Sequence, residues 1–136
     1  MAAYGFDNEF IRTSDDYERF MAYAKAMPMM ISNPLHHWTH LELKRVFGIT
    51  DILSEKTAQA VWDRTSALLA TDEYSAKNLI RRFNVEVICT TDDPIDDLRH
   101  HQQLAKDQNL GFRVLPAFRP DKALKAGQQG FGDYIG

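Results

Sequence analysis

Along the first half of the chain, apolar residues recur at helical spacing. In DDYERFMAYAKAM, after Ser14, Tyr17, Phe20, Met21 and Ala24 fall at i, i+3, i+4 and i+7, the spacing of one buried helical face. Ser14 stands where a cap is wanted, and acids fill the first turn. Pro28 and Pro34 both disfavour continuation of that helix. LHHWTHLELKRVF (Leu35–Phe47) predicts a second helix, with Trp38 and Leu41 turned inward and Gly48 at its C-terminal turn. LSEKTAQAVWDRTSALLA predicts a third, capped by Ser54, with Ala58, Val61, Trp62, Thr65 and Leu68 on one face. Ser75–Phe83 predicts a fourth, capped by Ser75.

From Asn84 the pattern changes. VEVICTT (Val85–Thr91) is β-branched and mostly apolar, which predicts a strand. PIDDLRHHQQLAKDQ (Pro94–Gln108) predicts a helix with Pro94 in its first turn and Ile95, Leu98 and Leu104 on its inner side. GFRVLPAF (Gly111–Phe118) predicts a second strand. Strand, helix, strand is a βαβ unit, which implies parallel strands and a right-handed crossover. The expected class is α/β, with a mainly helical segment 1–84 followed by a βαβ segment 85–136. Two strands make a small sheet. A complete eight-unit barrel needs ~250 residues. The chain fits either a small α/β domain or a piece of a larger α/β protein.

Composition narrows the partners. The 136 residues are 44% hydrophobic and 26% charged, the balance of a globular chain, and the net charge of −3 includes no basic block, which argues against nucleic acid. Cys89 is the only cysteine, so no intrachain disulfide is expected. MAAYGFDNEF lacks the pattern of a secretory leader, and no apolar run reaches the ~20 residues that span a bilayer. A cytoplasmic protein with no membrane partner is expected.

Ligands of α/β proteins meet the carboxyl ends of parallel strands. Here those ends are TTDDP (Thr90–Pro94) and PAFRPDK (Pro116–Lys122), which makes Asp92, Asp93, Arg119, Asp121 and Lys122 candidates. Neighbouring aspartates on a strand point to opposite sides and share an ion poorly. Capping of the helix entered through Pro94 is the expected role, with Asp93 the expected cap. Arg119 could grip a substrate carboxylate with its fork or pair with Asp121, and Lys122 reads as a surface charge. His36, His37 and His40 share a helix, but HHWTH lacks the glutamate of HExxH and no third ligand is evident, so no metal site is expected. His100 and His101 are expected at the surface, far from the strand ends. Cys89 is expected as a packed core thiol. GQQGFG (Gly127–Gly132) follows no strand and lacks the lysine of a phosphate loop.

Three stretches taken together carry a resemblance. NPLHHWTHLELKRVFGI, VICTTDDPIDDLRHH and VLPAFRPDKAL resemble, in order and spacing, consecutive segments of the uronate (glucuronate) isomerases of the amidohydrolase superfamily. GFDNEFIRTSDDYERF resembles the segment before them, so the likeness spans nearly the whole chain. The family usually has tyrosine where His36 stands. The resemblance implies a metal-dependent (β/α)8 barrel much longer than this chain. It also implies an aldose–ketose isomerisation, an intramolecular oxidoreduction, of D-glucuronate to D-fructuronate and of D-galacturonate to D-tagaturonate. The metal ligands of the family, an HxH pair after the first barrel strand and an aspartate after the last, have no counterpart here. A divalent metal, zinc, is implied for the full-length family and no cofactor for this chain.

The resemblance thus implies an internal fragment, inactive alone, holding a helical insertion and part of a barrel. It maps one site residue: Arg119, in the RPD motif, as a substrate-binding arginine for a uronate. No catalytic residue is mapped. The alternatives are a free-standing sugar-acid-binding or interaction domain without catalysis, and a small metalloenzyme using His36, His37 or His40. The two unpaired edges of a two-strand sheet also predict self-association.

Overall fold

The computed structural model describes residues 5–135; residues 1–4, the start of the stretch expected to carry no secretory leader, and Gly136 lie outside the described residues. The chain divides into two compact units, 1–74 and 75–136.

The first unit is helical. Helix α1 spans Asn8–Thr13 and α2 spans Asp16–Ala26. The cap of α2 is Asp15, not Ser14, whose N–H instead closes α1 on the Phe10 carbonyl. Asp15 accepts from the Glu18 N–H at 2.8 Å and Glu18 accepts from the Asp15 N–H at 3.2 Å. This reciprocal box needs an acid three residues on, and the register starting at Asp15 supplies it. Tyr17 and Phe20 pack their rings on Trp62, each with centroids 5.3 Å apart. A 3-10 turn, Met27–Met30, leads to α3, Pro34–Phe47, which starts one residue before the predicted Leu35, is capped by Asn33, and closes at Gly48, φ 65, as expected.

The inward face of α3 differs from the expected one. Trp38 is 58% exposed, and Leu43 is buried instead. The reason is the tether at His40. Its Nε2 accepts from the Leu53 N–H at 2.9 Å and its Nδ1 lies 2.6 Å from the His36 carbonyl, which fixes the proton on Nδ1 and turns this side of the helix toward residues 49–53. Helix α4, Ala58–Leu69, buries Ala58 and Val61 on the expected face but starts after Ser54. Thr57 Oγ1 accepts from the Ser54 N–H and donates to the Ile52 carbonyl, which holds 54–57 as a turn. Met27, Met30 and Leu53 are the largest fully buried side chains among the described residues. Each contributes roughly 1.5–3 kcal/mol by leaving water.

The second unit begins with α5, Ala76–Arg82, preceded by Ser75 and closed by Asn84 at φ 51. Strands β1, Val87–Asp92, and β2, Arg113–Phe118, pair in parallel as expected, from Val87 opposite Arg113 to Asp92 opposite Phe118. They form a mixed helix-and-strand unit around a small parallel sheet. Helix α6 spans only Arg99–Ala105 and packs against β2. The predicted start at Pro94 is not found. Residues 93–96 form a turn, with the Asp96 N–H on the Asp93 carbonyl at 3.0 Å and the Asp93 N–H on Asp96 Oδ2 at 2.9 Å. Local side-chain bonds of this kind compete with helix. Leu98 then takes a left-handed conformation, φ 51, which costs a non-glycine residue about 1–2 kcal/mol and resets the direction of the chain.

Arg81 Nε donates to the Leu110 carbonyl at 2.9 Å and Lys77 pairs with Asp107 at 2.5 Å, tying α5 to the chain between α6 and β2. Cys89, expected in the core, is exposed. It shares a sheet face with Leu115 and Thr91, and both of these are also exposed. Helix α7, Phe131–Ile135, ends the described chain. No helix among the described residues is long and apolar enough to cross a membrane.

Candidate functional site

Because β1 and β2 are parallel and in register, their carboxyl ends emerge side by side at Asp92 and Phe118. The two aspartates of TTDDP part there, as strand alternation demands, and each has its own partners.

Asp92 is a clamp between the strands. Its Oδ2 accepts from Thr90 Oγ1 at 2.7 Å and from the Ala117 N–H at 3.3 Å, while its carbonyl accepts from the Arg119 N–H at 3.0 Å. His101 Nε2 lies 2.7 Å from Thr90 Oγ1 and 3.7 Å from Asp92 Oδ1. Thr90 has one hydroxyl hydrogen, and it goes to Asp92, so His101 Nε2 is the donor toward Thr90. His101 is therefore not the distant surface residue expected from the sequence. Its side chain is only 16% exposed, and it sits against the end of β1. The left-handed Leu98 starts α6 at Arg99 and lays this side chain back toward the strand, whereas His100 stays exposed.

Asp93 turns the other way. Its Oδ1 accepts from the Tyr134 hydroxyl at 2.8 Å and from the Ile95 N–H at 3.3 Å, and Lys122 Nζ stands 3.5 Å from Oδ2. Asp93 thus caps no helix, because the helix it was expected to cap starts six residues later. Partial burial pushes the Asp93 carboxyl up, but the Tyr134 hydroxyl, the Ile95 N–H and the Lys122 ammonium outweigh it and hold the group below the usual carboxylate range. In return the Asp93 carboxylate raises the Tyr134 phenol above its usual range. Lys122, expected as a plain surface charge, bonds Asp93 and lies 5.8 Å from the centre of the Tyr134 ring.

Arg119 follows directly after β2. Its Nε pairs with Asp121, and both side chains remain more than half exposed. The Nη groups have no protein partner among the described residues, so part of the fork stays open to an anion. A cleft of about 490 Å³ opens at the same end, lined by Asp92, Leu98, Arg99, His101 and Lys122 among others. Arg119 does not line it.

The described residues offer no donor set that fits a metal ion. No group of three or more His, Cys, Asp or Glu side chains is gathered among the described residues. His40 has both ring nitrogens engaged in backbone hydrogen bonds, which removes it from any site with His36 and His37. Sequence reasoning missed three contributors: Thr90, His101 and Tyr134. Only the polar ending of β1 could have signalled Thr90. Nothing local marks His101 or Tyr134, since a left-handed residue aims the first and the second lies 41 positions from its partner.

Comparison with known proteins adds to this geometry. The sequence profile of the glucuronate isomerase family matches residues 1–136. A uronate isomerase of Caldanaerobacter subterraneus subsp. tengcongensis is 48% identical over 136 residues, covering 99% of this chain and 29% of the relative. The Bacillus subtilis uronate isomerase is likewise 48% identical, over 137 residues, with the same coverage. The crystal structure of the Thermotoga maritima uronate isomerase superposes with a TM-score of 0.90 at 35% identity, over 98% of this chain and 29% of that one. The glucuronate isomerase of Caulobacter crescentus gives 0.79 at 29% identity, over 89% and 25%. The chain thus spans less than a third of the length of these relatives.

Proposed function

From the premise that this chain belongs to the glucuronate isomerase family, we propose that it supplies one part of the substrate site of a uronate isomerase. The reaction is the aldose–ketose isomerisation of D-glucuronate to D-fructuronate, and of D-galacturonate to D-tagaturonate. The single observation that carries this reading is the family match over the whole chain, and a fold that superposes on the Thermotoga maritima enzyme at 0.90 supports it. In this reading 1–84 is the helical insertion and 85–136 is a βαβ segment of a (β/α)8 barrel. The two strand ends then face the substrate, as they do throughout barrels of this kind. A sugar-acid-binding domain without catalysis is not favoured, because the relatives are named as isomerases. The proposal carries with it a cytoplasmic setting, where a lone exposed thiol such as Cys89 stays reduced.

The isomerisation moves a proton from C2 to C1 and the hydroxyl hydrogen of O2 to O1. A base must meet C2, so the open-chain sugar has to be held at its far end. Arg119 is our candidate for that hold. Its open Nη groups can take the C6 carboxylate, and its Nε stays on Asp121. Asp121 would keep the fork oriented. No set of three metal-ligating side chains is gathered among the described residues, so no step is assigned to a metal here.

The test is a graft. This chain replaces the matching segment of the Bacillus subtilis enzyme, and conversion of D-glucuronate is followed. The chimaera should turn over. Arg119→Ala should lower kcat/KM about a hundredfold or more, the scale of a lost charge-assisted pair of about 3 kcal/mol. An active chimaera whose Arg119→Ala variant keeps full kcat/KM defeats the reading.

A further inference from the structure

We infer that His101 is a positioning residue for Arg119, acting through Thr90 and Asp92. The inference rests on the reading of Arg119 as the carboxylate ligand.

The chain of contacts is continuous. His101 Nε2 donates to Thr90 Oγ1 at 2.7 Å, and Thr90 donates to Asp92 Oδ2 at 2.7 Å. The same Asp92 oxygen accepts from the Ala117 N–H, and the Asp92 carbonyl accepts from the Arg119 N–H. One residue of β1 thus holds the last turn of β2 from two sides, at the two amides that flank Phe118. Phe118 itself cannot hold the position by packing, since it is 76% exposed. The end of β2 therefore depends on Asp92 for its direction, and Asp92 depends on Thr90 and His101 for its rotamer.

The burial pattern agrees. The Asp92 and His101 side chains are 15% and 16% exposed, against 61% for Arg119. The fixed part of the network lies inside and the ligand-taking part outside, the arrangement of a supporting layer beneath a binding group. The left-handed Leu98 supports the same view. A strained residue that serves only to start a short helix is poorly explained, whereas one that aims His101 at Thr90 has a purpose. His101 need not touch substrate to matter: an arginine fork displaced by a fraction of an ångström no longer meets both oxygens of a carboxylate.

The experiment uses the grafted, full-length chimaera with D-glucuronate as substrate. Thr90→Val breaks the relay at its centre with little change of shape, and His101→Leu breaks it at its start. Each should lower kcat/KM about tenfold, and His101→Gln, which keeps an N–H donor, should recover most of the loss. In an Arg119→Ala background the same changes should cost less than about twofold, because their route is already cut. The full tenfold loss persisting in that background overturns the inference while leaving the Arg119 reading intact. Full activity of Arg119→Ala overturns that reading, and the inference falls with it. Hydrogen exchange of the segment holding Ala117 and Arg119 gives a readout that needs no catalysis. It should quicken in Thr90→Val, and unchanged exchange there overturns the inference too.

Discussion

Tyr134 and Asp93, 41 positions apart, are joined by a hydrogen bond of 2.8 Å from the phenol to the carboxylate, and this bond pins α7 to the turn that follows β1. Each partner shifts the other's proton equilibrium. Asp93 lies below its ordinary 3.8, so the contact's pH-dependent stabilisation is present above about that pH and is lost as pH falls through the still lower folded value. Tyr134 lies above 10.0 chiefly because of the Asp93 hydrogen bond. Asp93→Asn should therefore bring the Tyr134 phenol down toward 10.0. Subtracting a Tyr134→Phe titration isolates its tyrosinate absorbance from the other four tyrosines. No change in Asp93→Asn would contradict the geometry.

His40 carries a different kind of load. Its ring accepts from the N–H of Leu53, a residue 1% exposed, and donates to the His36 carbonyl. His40→Leu leaves the Leu53 N–H without its acceptor, at a cost of about 1–3 kcal/mol. The urea midpoint should fall with the slope unchanged. Adding zinc should leave the wild-type midpoint where it is, because neither ring nitrogen is available to the ion.

The sheet predicts behaviour of the chain alone. Each of its two strands has one neighbour, so each presents one unpaired row of backbone groups among the described residues. Exposed Leu115 lies on the same sheet. The isolated chain should associate as its concentration rises, measured by sedimentation velocity. A monomer throughout would count against strand-edge pairing.

The sequence made the elements legible where a single period ran long enough. The faces of α2 and α4, the Gly48 turn and the parallel pair all follow from spacing and from residues with restricted backbones. It failed where tertiary contacts overrode local preference. Trp38 looks like a core residue on α3, but the His40–Leu53 bond turns the helix so that Leu43 is buried. Pro94 looks like a helix start, but the bonds between Asp93 and Asp96 close a turn there first. At the site, the TTDDP and RPD stretches were visible as strand ends. His101 was not, because its direction is set by the backbone of Leu98, which no side-chain pattern announces. Cys89 was misplaced for a simpler reason: an apolar strand is a core element only if something covers both of its faces.

The uniform register of β1 and β2 also bears on the order of events in folding. Every strand pair, from Val87 with Arg113 to Asp92 with Phe118, closes a loop of the same length. A loop on the order of 25 residues costs about 3 kcal/mol of chain entropy, and the first pair formed must meet that cost alone. The helices of the first unit can begin from contacts close in sequence, although packing Tyr17 and Phe20 on Trp62 closes a longer loop still. Within the second unit, the strands should therefore wait until α6 and the 93–96 turn have shortened the gap, and should gain protection after α6 does.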